Sequence, residues 1–358
     1  MKSDVGSRPT LSHVRDWAVA WRAKGLLARI VLLAGSCLVG VAGFELFLRC
    51  FFPLHLAGPV GLYEYDPELG VRVRPGIHLL RTTDHQEEIY TNTLGTVNFQ
   101  PSFTGYEQLV FAVGDSYTQG TGLPADAAYP FQLDLLLNMT KDGYREMYGV
   151  VNLGLAAYGG RQNLMCLHRY AAALGSPQFI LYLGCNNDQM DDRLFTAGDR
   201  HRHLVDGNPY WGPWLKPLQW LGCETEIGKR LRRAAGEYRR TRRTRVSSTD
   251  APAKDEPCVA ERQEAVLSQL QDTARELNAT LIVGWADGAG DSWRSYQWLH
   301  VWAESHGVAF ADWYTSVQSV CRAIPNVPTE NPHSAGHHRT WVNTLIARSF
   351  AAQIQASD

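Results

Sequence analysis

Apolar, strand-forming runs recur along the chain at 108–113 (QLVFAV), 149–153 (GVVNL), 178–183 (QFILYL), 279–285 (ATLIVGW) and 307–311 (GVAFA). Between them lie stretches of helical character near 127–141, 160–175, 260–278 and 290–306, and one more near 335–355. Five strands alternating with helices predict an α/β fold with a parallel, doubly wound sheet. Residues 53–107, rich in Pro, Gly and short polar turns, read as an irregular or β-type connector. The longest strandless interval, 189–258, is too long for a plain loop in a compact domain and reads as an insertion. Its aromatic first part, 189–222 (with NPYWGPWLKPLQWLG), is expected to be ordered, and 235–257 mobile.

A different pattern opens the chain. Nineteen residues between Arg29 and Arg49 carry one charge, Glu45, and are long enough for a spanning helix. Lys2, Arg8, Arg15, Arg22, Lys24 and Arg29 lie at or before its start against Asp4 and Asp16, whereas the fifteen residues after Arg49 hold no Lys or Arg. The positive-inside rule therefore keeps residues 1–29 in the cytoplasm and exports the rest, a single-pass arrangement with the globular part periplasmic or extracellular. Spacing lets Glu45 and Arg49 pair one helical turn apart. A cleaved signal peptide would have a shorter apolar core and a small-residue cleavage site, and none follows. The expected organisation is a basic tail (1–29), a transmembrane anchor (30–52), the connector (53–107) and a domain at 108–355 interrupted at about 189–258.

Composition narrows the partners. A chain of 358 residues, 45% apolar and 20% charged, can bury a full core, and a net charge of −2 argues against nucleic acid. One segment departs from that balance: 229–245 holds nine Lys/Arg against Glu237 alone. It reads either as a solvated insert or as a contact for anionic lipid headgroups or an acidic polymer. Of seven cysteines, Cys37 and Cys50 fall in the anchor, leaving an odd five outside. Cys223 and Cys258 bracket the basic segment and could staple its base; unpaired thiols in apolar pockets are the alternative. No Cys/His spacing suggests zinc, and neither a metal nor an organic cofactor is expected.

Candidate chemistry gathers where the strands end. The first run breaks into Gly114-Asp115-Ser116-Tyr117-Thr118-Gln119-Gly120, which places a serine hydroxyl at the carboxyl edge of the sheet. The second is followed by the small-residue loop 152–160 (NLGLAAYGG), the third by Gly184-Cys185-Asn186-Asn187-Asp188, and Glu330-Asn331-Pro332-His333 precedes the last helix. A serine on a strand–helix turn, followed in order by a small-residue loop, an Asn and a His, is the arrangement a nucleophile, an oxyanion hole and a general base require. In isolation each feature has a plainer reading. Asp115 holds its turn, Asp191 and Asp192 form a solvated pair, and His201 and His203 belong to a polar loop. Trp211, Trp214 and Trp220 either pack the insertion or line an acyl or sugar subsite.

Over 108–350 the chain resembles the SGNH (GDSL-type) hydrolases, whose first block G-D-S-x-T-x-G it matches at 114–120; the segment YEYDPELGVRVRPG…YTNTLG looks like that of membrane-anchored bacterial members. The resemblance implies a flavodoxin-like three-layer α/β/α fold and a serine esterase or acylhydrolase. Its substrate would be an acyl or O-acetyl ester of a lipid or cell-envelope glycan. It makes Ser116 the nucleophile, His333 the base and Glu330 the acid behind it, with the oxyanion held by the N–H groups of Ser116 and Ala157 and the amide of Asn187. Three positions depart from the family pattern. Ala157 stands where the family has Gly, Glu330 where it has Asp, and the interval from His333 to Gly336 is shortened, which keeps His337 and His338 as reserve bases. An O-acyltransferase for an exported polysaccharide using the same site, and a non-catalytic glycan- or protein-binding module, are the alternatives.

Overall fold

The computed structural model describes residues 11–53, 62–82, 86–196, 221, 225–231, 234, 257–286, 291–331 and 336–357. His201, His203, Trp211, Trp214, Trp220, Cys223, His333 and most of the basic run lie outside them. Two compact units are present, one made of residues 1–54 with 217–248, the other of 55–216 with 249–358.

The larger unit begins with two antiparallel hairpins, β1 (Tyr63–Asp66) with β2 (Gly70–Val73) and β3 (His78–Thr82) with β4 (Gln86–Tyr90). The α/β body follows with β5 (Gln108–Gly114), α1 (Ser116–Gln119), α2 (Tyr129–Asn138), the short hairpin β6 (Met139–Thr140) and β7 (Gly143–Tyr144), β8 (Tyr148–Asn152), α3 (Gly160–Leu174), β9 (Phe179–Gly184) and α4 (Asp188–Thr196). From residue 259 on come α5 (Val259–Arg262), α6 (Glu264–Glu276), β10 (Thr280–Trp285), α7 (Asp291–His306), β11 (Ala309–Phe310), α8 (Tyr314–Ala323) and α9 (Thr340–Ser357).

Five strands pair in the order β11-β10-β9-β5-β8, all parallel, as the five apolar runs predict. Counted by appearance this is 2-1-3-4-5, the flavodoxin-like order, and its switch point lies between β5 and β9, where such sheets open a crevice at the strand carboxyl ends. Val110, Phe111, Ala112 and Val113 of β5 and Ile180, Leu181, Tyr182 and Leu183 of β9 are fully buried, because helices cover both faces. α2 packs on α9 and β8, and α3 on α6 and β5. The edge strand β8 is covered by Asn98, whose amide donates to Val150 O at 2.9 Å and accepts the Asn152 N–H at 2.9 Å.

The segment expected as a connector is a folded wall of this unit. Leu62, Tyr63, Leu69, Val71 and Val73 form a second apolar cluster with Leu155, Tyr158 and Cys166. Strands this short show too little alternation to announce themselves in sequence. Asp66 ties the first hairpin down: it accepts the N–H groups of Glu68 and Leu69 and two bonds from Arg169, at 2.7 and 3.1 Å. Burial alone would raise the Asp66 carboxyl, but the Arg169 bonds and charge, with the two amides, hold it below its ordinary value.

In the smaller unit a helix runs Leu11–Phe51, and its part Ala28–Phe51, with mean hydropathy 2.1, is long and apolar enough to cross a membrane. Glu45 and Arg49 pair at 2.7 Å, as their spacing predicts. The same carboxylate accepts the N–H groups of Glu226 and Ile227 at 2.8 and 3.0 Å, so a lone acid in an apolar helix caps the helical turn at 226–231. Cys258, in the larger unit, is a buried free thiol, and Cys223, which the sequence suggested as its partner, lies outside the described residues.

Replacing Arg169 by Ala leaves Asp66 nearly buried without its cation and is expected to lower stability at pH 7 by about 2 kcal/mol, read as a fall in the urea midpoint. Because the Asp66 carboxyl sits low in the folded state, the stability it contributes is present above the ordinary carboxylate range and lost as pH falls through it. The difference between Arg169→Ala and wild type should therefore narrow toward roughly pH 3.

Candidate active site

The turn after β5 is shaped by an absence of space. A Cβ on Gly114 would lie 2.2 Å from Thr118 Oγ1 and 2.8 Å from Leu183 O, and the backbone there has φ +155°, so only glycine fits. Asp115, fully buried, caps the following helical turn by accepting the Tyr117 N–H at 2.9 Å. Ser116 starts α1 at the sheet's carboxyl edge. Its Oγ lies 2.7 Å from His337 Nε2 and 3.1 Å from Asp115 Oδ2. One hydroxyl proton serves one acceptor at a time. With Nε2 bare it goes to the imidazole, the state a general base needs.

His337 reaches the serine from a narrow antiparallel bridge. Asn331 N–H donates to His337 O at 2.8 Å and Arg339 N–H to Thr329 O at 2.9 Å, and Glu330 stands opposite His338. The Tyr117 ring lies 4.9 Å from the His337 ring and 5.1 Å from that of His338. His338 is buried and turned away, its Nε2 2.6 Å from Ala286 O. The base expected at His333 falls outside the described residues, and among the described residues the imidazole that meets Ser116 is that of His337, four positions on. Glu330 is exposed. Residues directly opposite in a bridge share a face, so Glu330 goes with His338 and Asn331 with His337. Asn331 in turn donates to Gly122 O and His338 O, both at 3.3 Å.

The loop after β8 is fastened to α1 by a residue the sequence reading passed over. Gln119 Oε1 accepts the Ala156 N–H at 2.7 Å and the Tyr63 hydroxyl at 2.8 Å, joining the serine's own helical turn, the loop and hairpin β1–β2. Gly154 has no room for a side chain, since a Cβ would stand 2.5 Å from Gln119 N. Ala157 adopts φ +69°, the left-handed conformation that glycine takes freely. The alanine thus holds a backbone shape that costs a side chain about 1 kcal/mol of strain. The sequence offered one signal for Gln119, its place one turn after Ser116; for Tyr63 it offered none.

After β9 the polar groups close into a network. Asn187 Nδ2 donates to Asp191 Oδ2 at 2.6 Å, and Cys185 Sγ lies 2.5 Å from Asn187 Oδ1 and 2.9 Å from Asp115 Oδ2. Asp188 is fully buried and accepts from the Tyr182 hydroxyl at 2.7 Å and the Cys185 N–H at 3.1 Å. Burial first, and then the charge of Asp115, push its carboxyl well above the ordinary range. Asp191 is no solvated residue: it is 6% exposed, and burial raises its carboxyl to about 7. Asp115, Cys185 and Asp188 form the one group among the described residues whose metal-ligating atom types lie within 4.8 Å of one another, with the thiol sulfur 2.9 Å from Asp115 Oδ2 and 3.3 Å from Asp188 Oδ1.

A serine hydroxyl on an imidazole, at the switch point of a parallel sheet, with a strained small-residue loop and an Asn at the neighbouring strand ends, is an arrangement able to run acyl transfer. The chain is similar to solved G-D-S-L-type hydrolases. A member of the lipolytic protein G-D-S-L family from Veillonella parvula DSM 2008 is 12% identical with TM-score 0.39, over 69% of this chain and 98% of that one. LAE5, an alpha/beta hydrolase enzyme from the metagenome of Lake Arreo, is 14% identical with TM-score 0.41, over 72% and 99%. A catalytic mutant of Axe2, an acetylxylan esterase from Geobacillus stearothermophilus, is 13% identical with TM-score 0.39, over 71% and 96%. No family model and no curated protein matches the sequence.

Relief of the left-handed alanine gives a direct check on the loop. Ala157→Gly is expected to raise stability by up to about 0.5 kcal/mol, seen in chemical denaturation, because the strain removed slightly exceeds the entropy glycine adds to the unfolded chain. A destabilised variant would show the loop to be unstrained.

Proposed function

We propose that this chain is a membrane-anchored serine esterase or acylhydrolase of the SGNH (GDSL) type, with Ser116 as nucleophile and His337 as general base. The contact between Ser116 Oγ and His337 Nε2, 2.7 Å at the sheet's switch point, carries this reading. Ser116 Oγ attacks the carbonyl carbon of an ester as its proton passes to His337 Nε2. The resulting oxyanion is held by the N–H groups of Ser116 and Ala157 and by the amide of Asn187, each such donor being worth about 3 kcal/mol. Collapse breaks the carbon–oxygen bond to the alcohol, which leaves with the proton from His337. Water, deprotonated by the same imidazole, then releases the acid and restores Ser116. The site needs no metal or organic cofactor for any of these steps.

The base role belongs to His337 in this reading rather than to His333, because His337 is the imidazole placed on the serine. The acid role expected of Glu330 is left unassigned, since the bridge turns that residue to the side of His338. Two sequence features support the setting. The apolar helix ending at Phe51 would anchor the chain, and the Lys/Arg asymmetry around it would leave the domain on the exported side. An enzyme so placed meets acyl or O-acetyl esters of lipids and envelope glycans.

The full chain in detergent micelles should hydrolyse p-nitrophenyl acetate and take a covalent label from a fluorophosphonate probe, and Ser116→Ala should abolish both. His337→Ala is expected to lower kcat roughly 10³-fold, while His333→Ala stays within about threefold of wild type. The reverse ranking would return the base to His333. Absence of labelling in the wild type would favour the binding module, and acetyl transfer to an added oligosaccharide, read by mass spectrometry, the transferase.

A further inference from the structure

Asn187 is gripped at both ends. Its nitrogen donates to Asp191 Oδ2 at 2.6 Å and its oxygen faces the Cys185 thiol. The two ends of a primary amide have nearly the same shape, so the groups they meet decide which way it points. An ionised carboxylate can only accept, whereas a thiol can donate or accept. Asp191 therefore draws the NH₂ to itself and leaves the carbonyl to the Cys185 thiol. One Nδ2–H is taken by Asp191, and the amide plane fixes the direction of the second. We infer that Asp191 is a positioning residue, setting the orientation in which Asn187 presents its free Nδ2–H to the oxyanion; this rests on the esterase reading above.

The surroundings make that grip both rigid and sensitive to pH. Asp191 lies one helical turn after Asn187, and its N–H donates to Asn187 O at 2.9 Å, so backbone and side chain are tied together. Facing it are Asp115 from the turn after β5, Asp192 on its own helix, and beyond them Asp188 and Cys185. The nearby cation, Arg161 at the start of α3, gives its backbone N–H to Asp192 at 3.0 Å and its guanidinium to Thr196 at 2.9 Å. Burial raises the Asp191 carboxyl most, the Asn187 bond lowers it, and the charges of Asp115 and Asp192 raise it, to about 7 in all. Once protonated, Asp191 carries an O–H that can donate, and nothing then holds the amide one way round. The support Asp191 gives to turnover is present above about pH 7 and lost below it. Its effect on folding runs the other way. The folded state keeps the proton to about 7 and the unfolded chain releases it near 4, so Asp191 opposes folding as pH rises through that window.

The test uses the full chain in micelles with p-nitrophenyl acetate across about pH 5.5–9. Asp191→Asn, which can accept or donate, is expected to lower kcat about tenfold at pH 8 and to remove one ionisation near 7 from the pH profile. Asp191→Leu should lower kcat roughly 10²-fold, approaching Asn187→Ala, with KM within about threefold in each variant. Asp191→Asn should melt no lower than wild type at pH 8, which separates the role from a fold defect. In the double variant Asn187→Ala/Asp191→Asn the loss should be no greater than in Asn187→Ala alone. An active wild type matched by Asp191→Asn in kcat and pH profile, or losses that multiply in the double variant, would overturn the role of Asp191. A wild type that neither turns over nor labels would overturn the esterase reading and this role together.

Discussion

Where β5 ends there is no room for a side chain. Thr118 Oγ1 and Leu183 O both press on Gly114, and everything chemical in the site follows from that close approach. It lets the chain turn sharply enough for Asp115 to cap the next helical turn from inside the sheet. Ser116 is thereby lifted to the carboxyl edge, at the crevice where the strand order reverses. A parallel sheet buried on both faces supplies the rigidity, since neither β5 nor β9 has a solvated face along which it could slip.

Around this fixed serine the protein stores strain and charge. Ala157 stays left-handed because the residues beside it are pinned: Ala156 by Gln119 and Tyr158 by its hydroxyl on Val71 O at 2.6 Å. Behind the serine, Asp115, Asp188 and Asp191 crowd carboxylates into a volume with little water. Like charges at that depth cannot all ionise, and burial together with the charge of Asp115 pushes the Asp188 carboxyl well above its ordinary range. The hairpins ahead of the sheet belong to the same construction, for Tyr63 is one of the two donors that keep Gln119 in place.

The apolar helix solves a separate problem. A carboxylate on so apolar a helix is costly unless its lone pairs are taken, and Glu45 has three N–H donors on it, from Arg49 and from the backbone of Glu226 and Ile227. Only one of these could be read from spacing. The other two come from residues about 180 positions away along the chain.

The sequence by itself determined the architecture and the place of the serine on it. Apolar runs with helices between them carry the parallel sheet, because burial on both faces leaves a continuous apolar signature, and Gly-Asp-Ser at the end of the first run carries the serine. It also announced that Glu45 and Arg49 would meet. Only the tertiary structure brought the His337 imidazole to Ser116, since that contact depends on where a bridge closes. It likewise decided that Asp191 grips Asn187 instead of facing water, and that Tyr63 and Gln119 hold the loop. Those contacts join residues from different strand ends, and local patterning has no term for what a fold brings together across a crevice.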